Sequence, residues 1–201
     1  MRPAAALVAG AGLVVLTFGA AAEQPPASAS VPELLQRFVP VTDAMLRQPA
    51  PENWISFRNG YGLWGYSALD TINTGTVDEL RLVWSRAMQH GYQEVEPIVY
   101  NGVLFLANVQ DIVQALDATT GDLLWEYRRA LPENIANVTG TRYRYRNVSI
   151  YNDKIFLATN DAFLVALDAK TGEVVWETER ADYRERVAQT AGPIIVKGKL
   201  I

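Results

Sequence analysis

One eleven-residue motif occurs twice in this chain of 201 residues. The segments Ala115–Trp125 and Ala166–Trp176 both read Ala-Leu-Asp-Ala-x-Thr-Gly-x-x-x-Trp, and they start 51 positions apart (166 − 115). Self-similarity at such a period indicates an array of supersecondary units, because no single unit can bury its apolar surface alone. A period of this length is typical of the four-stranded blades of a β-propeller.

Apolar strand pairs with tight turns precede both motifs, and a third pair follows them. The three predicted hairpins cover Pro97–Phe105, Ser149–Phe156 and Pro193–Ile201. Their turn residues, such as Asn101-Gly102, tolerate the positive φ of a primed hairpin turn. Each motif adds a third and a fourth strand, predicted around Val113–Leu116 and Asp122–Tyr127, and around Phe163–Leu167 and Glu173–Thr178. The sequence therefore predicts an all-β chain, a partial β-propeller of roughly two blades plus a hairpin.

The motif contains its own turn chemistry. Asp117 and Asp168 can each accept backbone N–H groups as an Asx-type cap. Gly121 and Gly172 allow a backbone conformation that a side chain would disfavour. The motifs end on a tryptophan, whose large flat ring we expect to pack against a neighbouring blade. Trp84, which follows Asn73-Thr-Gly-Thr-Val-Asp-Glu-Leu80 earlier in the chain, indicates the end of a diverged unit.

Composition excludes several classes of protein. The chain is 49% hydrophobic and 20% charged, with a net charge of −4 and a pI near 5.1. A nucleic acid or an anionic membrane surface is therefore not an expected partner. Cysteine is absent, which excludes thiolate metal sites, a Cys-x-x-Cys-His haem site and a lipoprotein anchor. The single histidine, His90, has no partner for a metal site and is expected in a solvated loop.

The N-terminus has the pattern of an export signal. Met1-Arg-Pro precedes an uncharged run from Ala4 to Ala22 that ends in small residues, so we predict a signal peptide over residues 1–22. An uncleaved membrane anchor is the alternative, but the run is rich in Gly and Ala and less apolar than most spans. We therefore expect no stable membrane insertion. Residues 23–50 are predicted as a leader with short helix over Val31–Gln48, and residues 51–201 as the propeller part.

A second motif lies upstream of the repeats, in a stretch that we call the lead-in segment, residues 51–73. It has the order Trp54…Arg58…Tyr66-Ser67-x-Leu69-x-x-Ile72-Asn73, followed by the Val-x-x-Leu-x-x-x-Trp of Val77–Trp84. Together with the repeated motif, this order resembles the pyrroloquinoline quinone (PQQ) dependent alcohol dehydrogenases, from about Thr42 to the last residue. The resemblance implies part of an eight-bladed quinoprotein propeller, PQQ and Ca²⁺ as cofactors, and oxidation of a small-molecule alcohol. It also implies a periplasmic location, with a periplasmic cytochrome c as electron acceptor.

The resemblance assigns three cofactor-binding residues, Glu94, Arg146 and Thr190. Glu94 matches the family's glutamate in Glu94-Val-Glu-Pro97, with Glu96 as an alternative in register. Arg146 matches an arginine whose planar guanidinium can bind a cofactor carboxylate or quinone oxygen. Its alternative is an ordinary strand with a basic face, because arginine alternates with tyrosine from residue 142 to 146. Thr190 matches a threonine that hydrogen-bonds the cofactor, although its hydroxyl could also cap its own turn.

Two departures from the family limit the assignment. Gly140-Thr141 stands where most relatives have two adjacent cysteines that form a lid over PQQ. The family's calcium ligands, its catalytic Asp and the Trp beneath PQQ are expected beyond residue 201. We therefore predict no catalytic or metal-binding residue within this chain, and we expect an N-terminal piece that is inactive alone. The alternative function is a non-enzymatic propeller that acts as a binding or assembly scaffold. The lead-in segment and the lack of cysteine favour the dehydrogenase.

Overall fold

The structure, a computed structural model, describes residues 30–140, 144–145, 147–187 and 191–201, with the backbone alone at residues 144 and 145. Its α-helices are α1 Glu33–Gln36, α2 Asp43–Arg47 and α3 Ile135–Thr139, and single 3₁₀ turns occupy Val77–Glu79 and Tyr183–Glu185. The first six strands are β1 Tyr92–Gln93, β2 Ile98–Tyr100, β3 Val103–Asn108, β4 Ile112–Asp117, β5 Leu123–Arg128 and β6 Arg144–Tyr145. The others are β7 Ser149–Tyr151, β8 Lys154–Ala158, β9 Phe163–Asp168, β10 Val174–Glu179, β11 Ile195–Val196 and β12 Lys199–Leu200.

Two four-stranded antiparallel sheets carry the two copies of the motif. Blade 1 has the strand order β2-β3-β4-β5, and blade 2 repeats it as β7-β8-β9-β10. The third predicted hairpin forms as β11-β12, and β1 pairs with β6 in parallel. Each sheet is a meander in which strands adjacent in sequence pair with each other, as the repeat predicts. The all-β, partial-propeller prediction is therefore confirmed.

The turns inside the motif form as their residue types predict. Asp117 Oδ1 accepts the backbone N–H groups of Thr119 at 2.7 Å and Thr120 at 3.3 Å, and Asp168 makes the equivalent bonds in blade 2. Gly121 then has φ +78° and its equivalent in blade 2 has φ +74°. Each aspartate thus satisfies two backbone donors that would otherwise be left without partners in the turn.

Tryptophan docking joins successive units. Trp125 Nε1 donates to Ala169 O at 3.0 Å, and a Cβ added to Gly172 would lie 2.5 Å from the indole ring. Trp84 makes the same contact one unit earlier, since its Nε1 donates to Ala118 O at 3.1 Å. The glycine of the motif is therefore required for two reasons: its φ is positive, and the indole ring of the docked tryptophan leaves no room for a Cβ. Trp84 docks as the motif tryptophan of blade 1 does, and a diverged unit before it stays a prediction.

The N-terminal part of the chain packs along the first strands of the two blades. Within the predicted helical stretch, α1 and α2 are joined by a link in which Val41 bridges to Asn152. Trp54 bridges to Val99 of β2, with N···O distances of 2.7 and 2.8 Å. Apolar residues of both blades and of these N-terminal segments form one buried cluster. The predicted signal peptide lies outside the described residues.

A buried polar cluster lies at the contact between the two blades. Asp111, at the β3–β4 turn, accepts the backbone N–H and the side-chain amide of Asn160, both at 2.7 Å. Arg129, just after β5, binds Asp161 with Nε at 2.7 and 2.9 Å from its two carboxylate oxygens. Because the partners come from different blades, this cluster adds a second contact between the two sheets to the one made by Trp125.

Candidate functional site

A cavity of about 360 Å³ lies between the N-terminal part of the chain and the first strands of blade 2 and the third hairpin. Its walls are mainly apolar, and they include Ile55, Tyr61, Val148, Ile150 and Ile195. Three loops reach it, each leading into the first strand of a unit: the loops before β2, β7 and β11. Ligand pockets typically measure about 300–1,000 Å³ and have mostly apolar linings with a few polar groups.

The loop before β2 separates the two glutamates that the sequence left as alternatives. Glu94 is exposed and lines the cavity. The Glu96 side chain instead binds the lead-in segment. Its carboxylate Oε1 accepts Trp54 Nε1–H at 2.5 Å and the backbone N–H of Arg58 at 2.6 Å. Glu96 therefore holds the lead-in segment, while Glu94 is the glutamate that lines the cavity. The role of Glu94 in cofactor binding stays a prediction.

The loop before β7 contributes Asn147 to the cavity wall. Arg146, the predicted cofactor-binding arginine, directly precedes it and lies outside the described residues, as does Thr141 of the Gly140-Thr141 pair. Asn147 Oδ1 accepts the backbone N–H of Glu96 at 2.6 Å. The sequence analysis did not predict this bond. No local pattern marks it, because the two residues are 51 positions apart.

The loop before β11 contributes residues 191–194 to the cavity. Thr190, the third predicted cofactor residue, lies just before this stretch and outside the described residues. The loop is close-packed against its neighbour: a Cβ on Gly192 would lie 2.4 Å from the carbonyl oxygen of Asn147. Ser149 Oγ also donates to Pro193 O. The loops of the second and third units therefore meet backbone to backbone beside the cavity.

The electrostatics of the cavity are simple in the part that the structure describes. Glu94 is the charged residue of the described lining, which contains no Lys, Arg or His. Tyr61 donates its hydroxyl to Ile195 O at 2.9 Å, and burial, followed by the nearby Asp43 carboxylate, raises the pKa of Tyr61 above its ordinary value. The tyrosine is thus a neutral donor that fixes the lead-in segment to the third hairpin.

No described group of three or more His, Asp or Glu side chains is placed to hold a metal ion. Within the described ranges, the volume and the mainly apolar lining of the cavity suit a small, largely apolar ligand, and Glu94 is part of that lining. Sequential meander blades joined by docked tryptophans define the class of protein as a β-propeller, with a cavity at the first strands of its units.

Comparison with known proteins agrees with this class. Residues 54–198 match the PQQ family described as glucose/ethanol/alcohol dehydrogenase, beta-propeller domain. The quinoprotein alcohol dehydrogenase PedH of Pseudomonas putida is 41% identical over 149 residues, which is 71% of this chain and 24% of that protein. The solved quinohemoprotein alcohol dehydrogenase ADHIIG from Pseudomonas putida HK5 has a TM-score of 0.75 and 31% identity, over 81% of this chain and 25% of that one. A europium-containing methanol dehydrogenase has a TM-score of 0.73 at 29% identity, over 79% and 28%.

The chain belongs to the PQQ β-propeller family of glucose, ethanol and alcohol dehydrogenases, because the family match covers most of its length. The resemblance read from the lead-in segment and the repeated motif is therefore confirmed. The chain spans about a quarter of the length of its relative PedH, for which the share is 24%.

Proposed function

We propose that the full-length polypeptide carrying this chain is a PQQ- and Ca²⁺-dependent alcohol dehydrogenase of the periplasm. One observation supports this proposal above the others: the loops that carry the three predicted cofactor residues reach one cavity. Glu94 lines it directly, Asn147 follows Arg146, and Ala191 follows Thr190. Three loops from three successive units converge there, although their sequences have no motif in common.

The cavity fits the apolar part of PQQ. Its described walls are mainly aliphatic and aromatic, which suits a flat ring system, and its volume lies in the range of ligand pockets. The carboxylates of PQQ need a cation, and the described lining supplies none. We assign this role to Arg146, because a guanidinium binds a carboxylate with two parallel N–H bonds. Thr190 would add a hydroxyl donor, and Glu94 would share a proton with a cofactor oxygen.

The chemistry divides between this chain and the rest of the polypeptide. When bound with Ca²⁺, PQQ supplies a quinone that takes two electrons from an alcohol. The residues of this chain bind and orient the cofactor, and the described apolar walls exclude water from one side of it. We place the calcium ligands and the catalytic base beyond residue 201. The proposed electron acceptor is a periplasmic cytochrome c, reached after export by the signal peptide over residues 1–22.

No helix among the described residues is both long and apolar enough to cross a membrane. The proposal of a periplasmic protein rests instead on the pattern of residues 1–22, and sequencing the N-terminus of the mature protein would test it. An N-terminus at Glu23 is expected.

Reconstitution tests the proposed function. The apo form of the full-length polypeptide is mixed with PQQ and Ca²⁺, and oxidation of primary alcohols is followed with an artificial electron acceptor. We expect activity that depends on PQQ. Arg146→Ala should weaken PQQ binding by about 2–4 kcal/mol, because a buried cofactor carboxylate loses its charge-assisted partner.

Arg144→Ala is the matched control and should change PQQ binding little. Equal small effects of the two substitutions would support an ordinary basic strand at residues 142–146. A wild-type protein that neither binds PQQ nor responds to it would favour the non-enzymatic binding propeller.

A further inference from the structure

Three residues at the same position of successive units are in contact with one another beside the cavity. Glu96, Asn147 and Gly192 each lie five residues before the first turn residue of their hairpin (101 − 96, 152 − 147 and 197 − 192), and that turn residue has positive φ in all three units. In a propeller, equivalent positions of neighbouring units lie side by side around the axis. These three residues therefore form a short continuous path across three units.

The first contact in this path joins unit 1 to unit 2. Asn147 Oδ1 accepts the backbone N–H of Glu96 at 2.6 Å. The Glu96 carboxylate is itself bound by Trp54 Nε1–H and by the backbone N–H of Arg58. The loop that carries Glu94 is thus fixed on one side by the lead-in segment and on the other by the Asn147 carboxamide. A bond across units fixes the separation of two loops, which a bond within one loop cannot do.

The second contact joins unit 2 to unit 3 through the backbone. A Cβ on Gly192 would lie 2.4 Å from Asn147 O, 2.9 Å from Asn147 C and 3.0 Å from Asn147 Cβ. Real Cβ atoms do not approach other atoms so closely, so any side chain at Gly192 must push the two loops apart. Asn147 is therefore the middle residue of the path, in contact with both neighbouring loops.

In sequence, the members of the path are one or two positions from the predicted cofactor residues. Glu94 is two residues before Glu96, Arg146 is adjacent to Asn147, and Thr190 is two residues before Gly192. Binding groups must be held within about 0.5 Å of the productive geometry by residues around them. Each cofactor residue thus has a member of the path one or two positions away, and the members determine the distances between the loops.

We propose that Asn147 is a positioning residue that sets the spacing of the three cofactor-binding loops, through its carboxamide to Glu96 and its backbone against Gly192. The proposal rests on the proposed PQQ site and extends it. Asn147 acts through its neighbours, so its replacement changes the affinity for PQQ by moving the loops that bear Glu94 and Arg146.

Asn147→Ala in the full-length polypeptide removes the side-chain hydrogen bond to Glu96 and tests that contact of the path. PQQ affinity is measured by titration, following the quenching of tryptophan fluorescence, and the apo protein is melted in parallel. We expect the dissociation constant for PQQ to rise about 10- to 100-fold, since a displacement of about 1 Å can have an effect of this size. The melting temperature of the apo protein should stay close to that of the wild type. Asn147→Gln retains a neutral amide oxygen that can accept the Glu96 N–H, and it should recover part of the affinity.

Two further variants complete the design. Gly192→Ala introduces the Cβ that contacts the Asn147 carbonyl, and it should weaken PQQ binding without removing any polar group. Asn137→Ala is the matched control: Asn137 is exposed on α3 and begins the same Asn-Val-hydroxyl tripeptide as Asn147. The affinity of the Asn137→Ala variant for PQQ should equal that of the wild type.

The outcomes separate this inference from the proposed function. If the wild type does not bind PQQ, both fail. If the wild type binds and Asn147→Ala binds equally well, the positioning role is wrong and the proposed function stands. A loss of affinity that follows an equal loss of apo stability, with no recovery in Asn147→Gln, would show a general folding role and overturn the inference.

Discussion

Asp111 is buried where the two blades meet, and its surroundings change its acidity. Burial raises the pKa of Asp111 from 3.8 to about 7, and the nearby Asp161 carboxylate acts in the same direction. The hydrogen bonds from Asn160 and the charge of Arg129 lower the pKa but do not offset burial. Burial alone would lower the pKa of Arg129, but its bonds to Asp161, Tyr127 and Glu177 raise it, so it stays charged.

The stability of this chain should therefore decrease as pH rises from about 4 to about 7, as far as Asp111 contributes. A folded-state pKa above the unfolded one means that the folded state holds the proton more tightly across this window. The stabilising contribution of protonated Asp111 is fully present below the unfolded pKa and is lost as pH rises through the folded pKa. At about 1.36 kcal/mol per unit of pKa difference, the upper limit of this contribution is about 4 kcal/mol. The free energy of unfolding in urea, measured at several pH values for the wild type and for Asp111→Asn, isolates the contribution of Asp111.

Asp111→Asn should flatten the pH dependence in that window, because the amide does not titrate. The oxygen of the new amide can accept the backbone N–H of Asn160, and its NH2 group can donate to the Asn160 side-chain oxygen once that carboxamide is reversed. Other carboxylates contribute with the opposite sign: the bond from Lys154 lowers the pKa of Asp153, for example. The difference between the two profiles is therefore the quantity to examine. Identical pH profiles of stability for the wild type and Asp111→Asn would contradict a raised pKa of Asp111.

At the scale of elements, the motif tryptophans of β5 and β10 are equivalent in sequence but differ in surroundings. Trp125 is 7% exposed and lies against Gly172 of the next unit, whereas Trp176 is 38% exposed. Each ring also packs on a phenylalanine of its own blade, with centroid separations of 6.0 Å and 5.9 Å. The contact within the blade is thus the same, and the contact between units makes the difference.

Trp125→Ala should therefore destabilise this chain more than Trp176→Ala. Loss of a buried Trp typically costs about 3–5 kcal/mol, and a ring with more than a third of its surface exposed loses less. The free energy of unfolding of both variants can be measured in urea at low protein concentration. Equal losses would mean that the intra-blade phenylalanine contact dominates and that docking adds little.

The elements that could be predicted from sequence are those with local patterns. The repeat located β4, β5, β9 and β10 to within about one residue, since alternation, the Asx turn and the glycine are all local signals. Helix α3 was not predicted, because residues 135–139 have no amphipathic period to indicate it. The anchoring of Trp54 on Glu96 joins residues 42 positions apart, and such contacts depend on tertiary packing.

The candidate site was predictable only through the family resemblance. Nothing local distinguishes Glu94 from Glu96, and the hydrogen bonds of the Glu96 carboxylate separate them. Asn147 carries no sequence signal, because its importance comes from a contact with the equivalent residue one unit earlier. Arg146 and Thr190 lie outside the described residues, so their roles remain predictions.

At the scale of the molecule, two separate stretches of the chain expose apolar side chains. All six residues of β10 are exposed, including Val174 and Val175, and so are Leu82 and Val83 before Trp84. An edge strand of this kind offers unpaired backbone groups next to apolar side chains, and both favour association with another chain.

We expect residues 23–201, produced alone, to associate in a concentration-dependent way. Sedimentation velocity at several concentrations measures the association. Val175→Glu places a charge on the exposed strand and should shift the population toward monomer. Val187→Glu adds the same charge on an exposed residue outside β10 and should leave the association unchanged. A monomeric wild type at all concentrations would contradict the expectation.

Each copy of the repeated motif contains a glycine-bearing turn, on which the tryptophan of the preceding unit docks, and in blade 1 the motif ends with a tryptophan that docks on the turn of the next unit. Donor and receiver surfaces are therefore encoded in the same stretch of about fifty residues, and a tandem copy of that stretch would already match both of its neighbours. The number of units in such an array can change by gene duplication without a compensating substitution at the new junction. The docking of the indole on the next turn thus gives this architecture a direct route by which the number of its blades can change in evolution.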